Sequence, residues 1–172
     1  MMPPMRSVAL RLPHALAAAA ALLLAACGSA PPAPGTARDA VLQDWGAPTA
    51  RHALPEGGER LEYASGPYGR TTWMVDLDTA GRVRAATQVL GEAQFAVFAE
   101  RAPGLSADEV RRALGTPGER QRVRYPAGEL WSWRYPTNDC LWFQVQFGPD
   151  GRAVSAGYNN DPRCEAPSDA RE

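Results

Sequence analysis

The residues able to do chemistry are few. Cysteines stand at Cys27, Cys140 and Cys164, and of two histidines only His52 lies beyond the N-terminal apolar run. A zinc site or a Ser-His-Asp triad needs several such groups converging. His52 has no second histidine and no close cluster of Cys, Asp or Glu, and the polar stretch around it reads as a loop. Metal and triad chemistry therefore find no support, and no cofactor is expected. A cysteine nucleophile would also need a histidine base. Asp76, Asp78 and Gly81 make a fragment of a calcium loop, but the other ligands and the closing glutamate are missing, so they read as a strand end entering a turn. Ser106 reads as a helix cap. The expectation is a protein that is not an enzyme.

The compartment decides what the cysteines mean. Residues 1–26 carry Arg6 and Arg11 without an acid, followed by an Ala/Leu run from Ala15 to Ala26. That is the layout of a secretory signal, too short for a comfortable membrane span. The run ends Leu24-Ala25-Ala26-Cys27-Gly28, which resembles the bacterial lipoprotein signal, where the Cys sulfur receives a diacylglycerol and its new amino group an acyl chain. Several chains, unlike one, would anchor the protein stably to a membrane. Gly28 is similar to the residue found in lipoproteins passed to the outer membrane. With Cys27 acylated in an exported protein, a Cys140–Cys164 disulfide is the default, contributing roughly 3 kcal/mol in the chain-entropy model. All 18 basic residues are arginine and the net charge is −1. No basic cluster follows the N-terminus, so nucleic acid is not an expected partner.

The elements that position these groups read clearly in the second half. Leu105 to Pro117 predicts a short helix, with Ser106 and Glu109 as a reciprocal capping box, Leu105 and Val110 as a staple, and Gly115 and Pro117 as the stop. A weaker copy runs from Thr36, the expected cap, to Pro48 after the Pro/Ala tether of residues 27–35. The copies align at an offset of about 69, and Trp73, Val75, Leu77 and Gly81 then fall near Phe143, Val145, Phe147 and Gly151. Strands are predicted over 60–64, 71–77, 83–88, 120–125, 129–135, 140–147 and 153–158, with a further helix over 92–101. The expected architecture is α+β: two tandem units, residues 36–90 and 91–164, before a tail at 165–172. In each, a short helix or helix pair covers one face of an antiparallel sheet. Val110 and Leu114 should meet Phe143, Val145 and Phe147, and Val41 and Trp45 should meet Trp73, Val75 and Leu77.

Ser106-Ala-Asp-Glu-Val-Arg-Arg-Ala-Leu-Gly-Thr-Pro117, Trp131-Ser-Trp-Arg-Tyr135 and Val145-Gln-Phe-Gly-Pro-Asp-Gly-Arg152, taken in order, resemble the BamE (SmpA/OmlA) outer-membrane lipoprotein domain. That resemblance implies an outer-membrane lipid anchor, a periplasm-facing domain and a non-enzymatic role in assembling β-barrel proteins, with the barrel-assembly complex as the protein partner. The tandem arrangement is instead similar to that of the β-lactamase inhibitor protein, which implies the alternative of a periplasmic inhibitor or ligand-binding module. Trp131, Trp133 and Tyr135 read as core. Trp142 and Met74 alternate away from their apolar neighbours and, with Arg134, are the expected partner surface.

Overall fold

The computed structural model describes residues 30–65 and 70–164; Cys27 and the signal-like segment lie outside them. The fold is α+β, with three helices and two four-stranded antiparallel sheets. Helix α1 (Arg38–Trp45) leads to β1 (Ala50–Ala53), β2 (Glu59–Ala64), β3 (Thr72–Leu77) and β4 (Val83–Gln88). Helices α2 (Glu92–Arg101) and α3 (Ala107–Leu114) precede β5 (Glu119–Arg124), β6 (Ala127–Trp133), β7 (Leu141–Phe147) and β8 (Ala153–Asn160). Both sheets are simple meanders in sequence order, each strand folding back on the last.

Local chemistry explains the helix ends. Ser106 accepts from the Glu109 backbone N–H (3.4 Å) while Glu109 accepts from the Ser106 N–H (2.8 Å), so two otherwise orphaned donors at the start of α3 are satisfied. In α1 the cap position falls on Ala37 and carries no side-chain bond, which corrects the expectation of a cap at Thr36. Thr36 sits where Leu105 sits in the other copy, one residue too early. Strand β1 escaped the sequence reading because Ala-Arg-His-Ala shows no apolar alternation; backbone pairing with β2 holds it at the sheet edge.

The duplication extends to individual bonds. Gly35 and Gly104 each donate their N–H across to the strand start after the tight turn, to the Val83 and Ala153 carbonyls, both at 2.7 Å. Arg82 and Arg152 reach back from those turns to the Gly35 and Gly104 carbonyls, at 3.0 and 2.8 Å. Both sheets shift register at the same place, between Asp76 and Leu77 and between Gln146 and Phe147.

Two buried clusters form. Val41, Leu61, Val75, Leu77 and Val83 make the first, with Trp45 set edge-on to Tyr63 and Trp73 at 5.2 and 5.9 Å. The second holds Phe95, Phe98, Val110 and Leu114 together with Trp131, Trp133, Phe143, Val145 and Phe147, and Phe95 stacks on Phe143 at 4.1 Å. Met74, from the first sheet, belongs to this second cluster and is 2% exposed. Its outward-pointing position was the basis for expecting a partner surface. The structure overturns that, because residues of α2 and α3 cover the same side.

The glycines that end α1 and α3 allow a direct comparison of the copies. Gly46 and Gly115 have φ of 77° and 82°, but a Cβ at Gly46 would meet nothing within 4 Å. At Gly115 it would lie 2.7 Å from Thr72 Cγ2 and 3.2 Å from the Glu62 carboxyl carbon. Gly46→Ala should cost only the backbone strain, about 1 kcal/mol. Gly115→Ala should cost roughly 1–3 kcal/mol more, because the site is already full. Urea unfolding of the two variants measures the difference.

Candidate functional site on the outer faces of the sheets

Alternation in β2 and β3 places Arg60, Glu62, Met74 and Asp76 on the side of the first sheet away from its own cluster. Glu62 is fully buried there. Its carboxylate accepts from the Thr116 N–H at 2.8 Å, just past the end of α3, and lies 3.0 Å from His52 Nε2 and 3.5 Å from Thr49 Oγ1. His52 therefore stands on β1 against a buried acid, not in the polar loop expected. Arg60 forms a two-point pair with Asp76 (2.5 and 2.7 Å) and donates its remaining fork to the Arg112 carbonyl at 2.6 Å. Both contacts reach the last turn of α3, where free carbonyls and the following N–H need partners. The Glu62–His52 pair thus serves as a joint between the two units. Thr49 Oγ1 donates to the Glu62 backbone carbonyl at 3.0 Å.

The same side of the second sheet is organised differently. Gln144 donates to Ser132 at 2.9 Å and accepts from Asn159 at 3.2 Å, giving a ladder of side chains across β6, β7 and β8. Arg134 lies over the Trp142 ring at 5.0 Å and binds Asp161 through two bonds of 2.5 and 2.8 Å. Trp142 is only 6% exposed, and its indole N–H has no hydrogen-bond partner. The expectation of a freely exposed Trp142 and Arg134 is corrected accordingly. The pair is set by stacking and by Asp161, and the indole N–H is enclosed beneath it with no bonded partner among the described residues. Ser132, Gln144 and Asp161 were missed in the sequence, where polar residues alternating with a core face give no sign of bonding to one another.

Asp161 also organises the C-terminal turn. Its N–H binds the Cys140 carbonyl and its carbonyl accepts from the Cys164 N–H, each at 2.9 Å. That brings Cys140 and Cys164 side by side as exposed thiols, and the hydrogen bond that the Cys164 S–H donates to Cys140 pushes the Cys164 thiol above its usual value. The expected disulfide is not formed in the structure. The fold supplies proximity, whereas the oxidation state follows the thiol–disulfide poise of the surroundings. Asp78 accepts from the N–H groups of Ala80 and Arg82, a turn role that accounts for the calcium-like fragment. Among the described residues no group of three or more His, Cys, Asp or Glu could hold a metal ion, and no helix is long and apolar enough to cross a membrane.

Two measurements follow from this geometry. Glu62→Ala should destabilise the fold by roughly 1–3 kcal/mol, as leaving the Thr116 N–H without its acceptor does, while Glu59→Ala at a half-exposed pair should cost under about 1 kcal/mol; chemical unfolding at neutral pH distinguishes them. The Arg134 guanidinium holds the Asp161 carboxyl below the ordinary value of 3.8. A carboxyl depressed in the folded state contributes its full stability above its unfolded value and loses it as pH falls through the folded value. Thermal melts should therefore show Asp161→Asn less stable than the parent at neutral pH, with the gap closing below about pH 4. Compared with family models, curated proteins and solved structures, the chain finds no match.

Proposed function

We propose that this chain is a non-enzymatic protein-binding scaffold of the bacterial envelope. In this reading lipid on Cys27 holds it at the outer membrane, and two BamE-like units face the periplasm and serve β-barrel assembly or envelope maintenance. Each unit's helices act as the cover of one sheet face, leaving the other face of the second sheet for recognition. What carries the proposal is a contrast between equivalent faces. The outer face of the first sheet takes up the end of α3 through Arg60 and Glu62 and buries Met74. On the second sheet the corresponding strands carry a preset polar ladder and a buried indole donor without a partner. Rigid aromatic and arginine groups of this kind dominate binding energy when a partner completes them.

Recovery of the lipidated protein with its partners from membranes tests the reading. Barrel-assembly subunits in the eluate support it; a single soluble enzyme would support the inhibitor alternative instead. Mass spectrometry of the same material reads the anchor, since an unmodified chain beginning before Cys27 would exclude it. Trp142→Phe keeps most of the ring's packing while removing its N–H. The variant should melt no lower than the parent by more than a few degrees, because the N–H it removes is buried without a hydrogen bond among the described residues.

A further inference from the structure

Between the outer face of the first sheet and helices α2 and α3 lies a cleft of about 650 Å³. Its size falls in the range of roughly 300–1,000 Å³ that small ligands occupy. The apolar part of the wall includes Val97, Leu105 and Ala113 above the buried Met74 and Phe98, and Val97 is 60% exposed. Four of the charged groups in the wall are already engaged or directed. Arg60 and Asp76 are paired with each other, Glu109 is held by the Ser106 N–H and hydroxyl, and Arg112 feels only the through-space attraction of Glu109. Arg101, at the end of α2, has no bonded partner among the described residues. An apolar surface walled by two arginines whose side chains form no hydrogen bond calls for a ligand that is apolar along its length and negative at one end.

We infer that this cleft binds a single-chain anionic amphiphile, a long-chain carboxylate, with the alkyl chain along Val97, Leu105 and Ala113 and the carboxylate drawn to Arg101 and Arg112. Guanidinium groups suit a carboxylate because both are planar and can meet in two parallel bonds. An alkyl chain fits better than a peptide. Helices α2 and α3 have their backbone groups in their own bonds, and β3 is paired on both sides by β2 and β4. The wall therefore offers few main-chain partners to an extended peptide, which would need them. This site is separate from the face around Trp142 and does not depend on the scaffold reading.

Titration calorimetry on the full chain tests it, with dodecanoate below its micelle concentration, dodecanol, and a short apolar peptide with a free carboxyl terminus as probes. Dodecanoate should bind once per chain and about tenfold more tightly than dodecanol, the difference a charged hydrogen bond makes. Arg101→Gln and Arg112→Gln should each remove most of that difference and leave dodecanol unchanged. Ala113→Phe, which fills the cleft, should abolish binding of both while circular dichroism shows a folded protein. Equal affinity for dodecanoate and dodecanol, undiminished binding in the arginine variants, or tighter binding of the peptide would each overturn the assignment.

Discussion

The structure depends most on one buried carboxylate. Glu62 is removed from water in the first sheet, yet the donor it holds most closely, the Thr116 N–H, follows the helix that leads into the second. Taking a carboxylate out of water is costly unless its lone pairs are used, and here the Thr116 N–H donates to it while the His52 imidazole lies 3.0 Å away. Gly115 is bare for the same reason: a side chain there would press on the carboxyl group. Trp133 then closes the other side of the joint, donating its indole N–H to the Gly115 carbonyl at 3.2 Å. Acid, glycine and tryptophan are separated in sequence and meet only because the units pack sheet face to helix end.

Much of the architecture was legible because it is local. The Ser106–Glu109 box, the turn after Phe147 and the alternation of Phe143, Val145 and Phe147 depend on neighbours a few residues apart, and so does the positive φ at Gly115. The repeat was legible for a different reason: glycine, proline and aromatic positions recur in order, and a fold that reuses one turn must reuse the residues that make it. The cap of α1 was misplaced by one residue because Thr36 is a better capping type than Ala37. Geometry, set by pairing of Ala37 with Arg82, overrode that preference.

The candidate sites were harder to read because what decides them lies between the units. Met74 and Glu62 look like ordinary outward positions until a second unit covers them. Trp142 alternates outward as expected, but its burial comes from Arg134, which is itself steered by Asp161 nineteen residues beyond Trp142 in the chain. No periodicity announces such an arrangement. Single-strand alternation states which face a residue takes, not whether that face meets water, a helix end or another side chain.

The clip at the start of each unit has a mechanical meaning. Gly35 N–H to Val83, Val83 N–H to Thr36 and Arg82 to the Gly35 carbonyl all lie on the N-terminal side of α1. Tension drawn along the chain from that side reaches these three bonds before it reaches the helix, and it passes through them into β4, a full strand of the sheet. Helix α1, which lacks a side-chain cap, is spared the load. The domain can thus be tugged by its leading segment without the pull being delivered to a helix that has no side-chain cap.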